Sequence, residues 1–112
     1  MPTILVYGSN TKNRDKKVNS LLKRVDLEEG ENNPDLLNVK KEGDKSSIGI
    51  KKIREAISFL TKKPFSHKNK VVVIDEAEIL TTQAQNALLK TLEESPDYAY
   101  IILSAKTADT LL

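Results

Sequence analysis

Val71-Val72-Val73-Ile74-Asp75-Glu76-Ala77-Glu78, running almost at once into Thr81-Thr82-Gln83-Ala84-Gln85-Asn86-Ala87-Leu88-Leu89-Lys90-Thr91-Leu92-Glu93-Glu94, decides the fold. Four consecutive β-branched apolar residues, without polar alternation, read as a strand buried on both faces of a parallel sheet. The two acids at its end bring carboxylates to the carboxyl edge of that sheet, where open α/β proteins bind ligands. Acids also end ordinary strands and sit well near the start of a following helix, so Asp75 and Glu76 alone leave both readings open. Beyond them Ala84, Ala87, Leu88, Thr91 and Leu92 fall at i, i+3, i+4, i+7 and i+8, one stripe to lay against a sheet, and Thr82 with Gln85 fits a capping box.

Working outward, the pattern alternates strand with helix. Ile4-Leu5-Val6-Tyr7 reads as a buried strand broken by Gly8, and residues 10–15 as a polar loop. Val18, Leu21, Leu22 and Val25 mark a helix from about 15 to 26. After a short acidic turn over residues 26–34, Leu36-Leu37-Asn38-Val39 is a weak strand and residues 40–47 a loop. Ile50, Ile53, Ile57 and Leu60 make a second helix, which stops before Pro64 because the residue preceding proline is steered away from helical angles. A basic connection over residues 65–70 enters the central strand, and Ile101-Ile102-Leu103 is the fourth. The class is therefore α/β, a parallel sheet with helices on both faces and right-handed connections. With no fifth strand in sight, one sheet edge is expected to lie uncovered, a liability for self-association.

Composition narrows the function classes. A chain of 112 residues holds one domain at most. No apolar stretch approaches the ~20 residues that span a bilayer, and Met1-Pro2-Thr3 opens a strand rather than a signal peptide, so a cytoplasmic protein with no membrane partner is expected. The absence of cysteine excludes disulfides, thiolate zinc sites and a cysteine nucleophile. A formal charge of +2, with lysines scattered along the chain, describes solvated helix faces more than a nucleic-acid stripe. Three tyrosines, two phenylalanines and no tryptophan are too few for a base-stacking platform. His67, the single histidine, stands in a polar loop and is expected to be a solvent residue, neither ligand nor base.

A phosphate-binding loop needs G-x-x-x-x-G-K-[ST], with glycine amides around the phosphates, a lysine on the outer ones and a hydroxyl on magnesium. Counted from the end of the first strand, that window is Gly8-Ser9-Asn10-Thr11-Lys12-Asn13-Arg14-Asp15, with Asn13, Arg14 and Asp15 at the three defining positions. Asn13 fills space that glycine leaves free, Arg14 is bulkier than lysine, and Asp15 brings negative charge toward a phosphate. Gly8, Lys12, Asn13 and Arg14 are therefore weak nucleotide-site candidates, and the plainer reading is a strand-to-helix turn.

The wording IDEAEILTTQAQNALLKTLEESP resembles the bacterial clamp-loader ATPase family, and within it the delta-prime type of DNA polymerase III subunit. Asn33-Pro34-Asp35-Leu36 and Ile50-Lys51-Lys52-Ile53-Arg54-Glu55 extend the resemblance upstream, and Tyr100-Ile101-Ile102-Leu103-Ser104 downstream. It covers roughly the last four fifths of the chain, whereas the first thirty or so residues match only in pattern. The resemblance implies a three-layer parallel sheet of the P-loop nucleotide hydrolase (AAA+) type, truncated to about four strands, with residues 1–112 an N-terminal fragment or shortened form. The family's cysteine zinc module is absent, and Ser95 precedes Pro96 where the family pattern has a second proline. The family's sensor falls near Ala105 and Lys106 without a firm register, and its arginine finger lies past Leu112.

Function follows as an expectation from the same resemblance: a non-catalytic subunit that docks with ATPase subunits of the gamma/tau type and a delta-like subunit, reaching the sliding clamp and DNA indirectly. Asp75 and Glu76 are then a Walker B-like relic, with Asp75 the metal position if there is one, and no cofactor is expected. Asn86 and Lys90 are candidates for partner contact. The alternatives are an active gamma-like ATPase with ATP and magnesium as cofactors, whose unconventional phosphate loop uses Lys12 or Arg14, and a stand-alone interaction module of the same fold.

Overall fold

The computed structural model describes residues 3–25, 33–94 and 96–107; residues 26–32 of the expected 26–34 turn, Ser95 and the tail 108–112 lie outside them. The elements are β1 (Thr3–Tyr7), α1 (Thr11–Arg24), β2 (Leu36–Val39), α2 (Ile50–Thr61), β3 (Lys70–Ile74), a 3-10 turn over Ala77–Ile79, α3 (Thr82–Glu94) and β4 (Ala99–Ala105). All strands pair in parallel in the order β1-β4-β3-β2. The α/β sheet expected from the alternation is present, with β3 between β2 and β4.

Because successive side chains point to opposite faces, the Val-Val-Val-Ile run feeds two cores at once. Val71 and Val73 pack with Val18, Leu21 and Leu22 of α1, joined by Val6 and Ile102. Val72 and Ile74 pack with Ile53, Ala56 and Leu60 of α2 and Ala84 and Leu88 of α3. Each such valine or isoleucine contributes about 1.5–3 kcal/mol by leaving water, which explains why this segment tolerates no polar alternation. The result is three layers: α1 on one face, the sheet, then α2 and α3 on the other.

Three expectations are corrected. Helix α1 begins at Thr11, not near residue 15, because the Asn10 side chain accepts the Asn13 amide at 3.2 Å and caps it. Helix α3 is capped by Thr81, whose Oγ1 accepts the Ala84 amide at 3.1 Å; Thr82 is already helical and Gln85 instead points its amide toward the Leu80 carbonyl. Strand β1 is an edge rather than a buried centre. Leu5 and Tyr7 stay 38% and 66% exposed, and Thr3 at the start of the same strand lines a groove of about 110 Å³ with Leu89, Leu92 and Leu103.

Candidate functional site

Parallel pairing places every strand's carboxyl end on one side of the molecule. Val39 is in register with Ile74, and the Asp75 amide donates to the Val39 carbonyl at 3.0 Å, so Lys40 and Asp75 stand side by side as the first residues beyond β2 and β3. Asp75 and Glu76 meet Thr11, Arg14 and Asp15 of α1, Ser104 of β4 and Lys106 around a polar hollow of about 400 Å³. A neighbouring hollow of about 230 Å³ shares Asp15, Lys40 and Asp75. Glu76 has a left-handed backbone (φ 53), an uncommon conformation for a residue with a side chain, and it turns the chain into the 3-10 segment. Glu78, on that segment, accepts the Lys106 amide at 3.0 and 3.3 Å and ties it to the end of β4.

Charges in this hollow oppose one another. Burial pushes the Asp75 carboxyl up from its ordinary value, Asp15 and Glu76 push the same way, and Lys40 and Arg14 pull back. Lys40 Nζ lies 3.8 Å from Asp75 Oδ2, an ion pair open to solvent. Among the described residues no group of three or more histidine, cysteine or acidic side chains converges on a point.

The entrance to α1 is closed by its own residues. Gly8 takes φ +151, which only glycine adopts without strain, and its amide donates to the Ala105 carbonyl at 3.1 Å. Arg14 is buried; its guanidinium donates to the Gly8 carbonyl and reaches Thr11 Oγ1 at 3.3 Å, while its Nε is buried without an acceptor. Of the residues singled out by sequence, Arg14, Asp75 and Glu76 share the main hollow. Gly8 and Asn13 line a separate depression that also touches Arg14. Lys12 is exposed and lines neither, and Asn86 and Lys90 lie exposed on α3, away from all of these. Sequence reasoning missed Lys40, Glu78 and Ser104: strand register brings Lys40 and Ser104 into the hollow, and the 3-10 turn brings Glu78 to the Lys106 amide beside it.

A second polar centre lies at the opposite, amino edge of the sheet. Asp35 is wholly buried just before β2, and its carboxylate accepts the amides of Phe65 (2.6 Å), Ser66 (2.8 Å) and His67 (2.9 Å). His67 Nδ1 adds a contact at 2.8 Å, so the histidine expected in solvent is half-buried against a carboxylate. Burial alone raises this carboxyl, but the hydrogen bonds overcome it and hold Asp35 far below the usual range. Lys70, also buried, donates to the Phe59 carbonyl at 2.7 Å beneath the end of α2 and lies 4.2 Å from the Phe59 ring centre.

A parallel sheet in the order β1-β4-β3-β2, with an acid pair at the end of β3, defines a nucleotide-hydrolase-type α/β domain. The family model described as DNA polymerase III, delta subunit, matches residues 7–112, and the chain belongs to that clamp-loader family. It is 42% identical over 81 residues to the DNA polymerase III subunit delta′ of Yersinia pestis, covering 72% of this chain and 24% of that protein. It is 49% identical over 59 residues to the subunit gamma/tau of Mycoplasma genitalium, 53% of this chain and 10% of that one. A solved DNA polymerase III gamma subunit-related protein from Thermotoga maritima superposes with a TM-score of 0.82 at 32% identity, over 98% of this chain and 36% of that one. The chain thus spans about a tenth to a quarter of the length of these two curated relatives. Among the described residues no helix is long and apolar enough to cross a membrane.

Proposed function

We propose that this chain is the N-terminal, nucleotide-fold part of a clamp-loader subunit of the delta-prime type, which serves DNA replication without hydrolysing ATP itself. It docks with gamma/tau-type ATPase subunits and a delta-like subunit, and through them acts on the sliding clamp and DNA. One observation carries the reading: the start of α1, where a phosphate would meet free amides, is capped by the Asn10 side chain and plugged by Arg14 folded back onto Gly8. The family's nucleotide and magnesium do not fit these residues. Asp15 stands where a hydroxyl would face the metal, Lys40 already pairs with Asp75, and the acids lack a third convergent ligand among the described residues. Asp75 and Glu76 are therefore a Walker B-like relic through which no step of chemistry passes.

The retained Asp75-Glu76 pair and the similarity to gamma/tau subunits favour a second reading, an active ATPase with an unconventional phosphate loop. Calorimetric titration with Mg-ATP separates the two. The first reading expects no heat at micromolar nucleotide; micromolar binding, with hydrolysis that disappears in Glu76→Gln, establishes the second.

A further inference from the structure

We infer that the outward face of α1 is a contact surface for duplex DNA, with the helix seated in the major groove and its cationic rows on the two phosphate backbones. At about 100° per residue, Arg14, Val18, Leu21 and Leu22 turn inward and are buried, which leaves an exposed arc of about 140° on the far side. Two cationic rows border that arc. Lys12, Lys16 and Lys23 form one, Lys17 and Arg24 the other, and the small polar Asn13 and Ser20 run between them. All five cations are exposed, and none forms an ion pair among the described residues. Asp15, the one acid of the helix, lies outside the arc and lines the hollows with Asp75. Among the described residues α1 is the only helix on its face of the sheet, so the rows project from the molecule without a helical neighbour.

An ordinary solvated helix mixes both signs of charge, as Lys51, Arg54 and Glu55 do on α2 and Lys90, Glu93 and Glu94 do on α3. Helix α1 instead gathers five like charges. Lys23 and Arg24 suit the carboxyl end of the helix dipole, but Lys12 opposes it in the first turn and repels Lys16 four residues on. A face that keeps this repulsion is complementary to a polyanion. The partner's chemistry follows from what the arc lacks. It has no aromatic ring on which an unpaired base could stack and no apolar side chain to enter a bilayer or a protein pocket, and lysine is depleted at protein interfaces. A helix with its side chains is about 10–12 Å across and matches the B-form major groove of about 12 Å, whereas the major groove of duplex RNA is too narrow for it. From Lys12 to Lys23 the rows run about 16 Å, past several phosphates on each strand. The acids Asp26, Glu28, Glu29 and Glu31 follow in sequence after the last cation. This direct contact goes beyond the indirect one of the clamp-loader reading, and it lies on the opposite face of the sheet from α2 and α3.

Fluorescence anisotropy with a labelled DNA duplex of mixed sequence, repeated across a salt series, tests the surface. The log–log slope of wild-type affinity against salt should be about −3 to −4.5, as three to five phosphate contacts require. The triple variant Lys12→Gln, Lys16→Gln, Lys23→Gln should make that slope shallower by about 2.7 and weaken binding at least about thirtyfold at about 0.1 M salt. Ser20→Glu sets a carboxylate between the rows and favours the helix, and it should weaken binding at least about fivefold. Neither variant should lower the thermal midpoint, since the first relieves repulsion and the second replaces an exposed residue. The charge-matched controls, the triple variant Lys41→Gln, Lys62→Gln, Lys63→Gln and Gln83→Glu on α3, should keep the wild-type slope. Equal losses in the controls would mean that net charge alone draws the DNA, and they overturn the α1 surface. No binding of the duplex at about 0.05 M salt overturns it as well, as does tighter binding of a single strand or an RNA duplex of the same length, or binding only to vesicles containing phosphatidylserine. Each of these failures leaves the clamp-loader reading to its own titration with Mg-ATP.

Discussion

His67 Nδ1 lies 2.8 Å from Asp35 Oδ2, joining a carboxylate that already accepts three consecutive main-chain amides. The chain thereby ties the entry of β2 to the entry of β3, whose first valine amide donates to the Asp35 carbonyl at 2.9 Å. Replacing Asp35 with asparagine keeps the shape but removes the charge and leaves one oxygen in place of two. The expected loss is about 2–4 kcal/mol of unfolding free energy, measured by urea denaturation. A change below about 1 kcal/mol contradicts the view that this cluster fixes the loop.

The same carboxyl governs the acid limb of stability. Its folded value is depressed far below the value near 3.9 expected in an unfolded chain. Its contribution is therefore complete above the unfolded value and is lost as pH falls from there toward the folded one. The urea midpoint of the wild type should decline steeply below about pH 4, and Asp35→Asn should flatten that limb. Parallel curves for the two proteins would show that other carboxylates control acid unfolding.

Asp75 has the opposite sign. Burial and the neighbouring Asp15 and Glu76 raise its carboxyl against the pull of Lys40 and Arg14, so ionisation costs stability above the unfolded value and the cost is relieved as pH falls through the raised one. Asp75→Asn is expected to change stability at neutral pH by no more than about 0.5 kcal/mol, or to raise it slightly, because the half-exposed Lys40 pair contributes little. A loss above about 1 kcal/mol by chemical denaturation would make that ion pair a dominant contact.

Among the described residues no strand pairs with the outer side of β1, so that side can pair between copies. It carries exposed Leu5 and Tyr7, and no charge occurs among residues 3–7. Tyr7→Lys should lower the concentration-dependent rise in sedimentation coefficient, with little effect on unfolding since the ring is 66% exposed. Association unaltered by this change would assign it to another surface.

The architecture was legible because its signals are local. The uninterrupted Val71–Ile74 run, the 3.6-residue stripes of α1, α2 and α3, and the stop before Pro64 each reflect burial or backbone geometry of neighbouring residues. Helix α1 started a turn early because its cap, Asn10, precedes any apolar residue that would reveal the period. The Asp35 cluster was missed because its partners lie thirty and more positions away, where no periodicity links them.

Sequence by itself determined that strands and helices alternate, that β3 is covered on both faces, and that two acids end it, since hydrophobic period and side-chain volume are properties of adjacent residues. Tertiary structure alone decided that β1 is an edge, that Lys40 faces Asp75, that Arg14 turns back onto Gly8, and that His67 meets a buried carboxylate. All but the local Arg14–Gly8 contact depend on strand order and register, which bring distant residues together, and a carboxylate's charge takes its meaning from whichever donors the fold delivers to it.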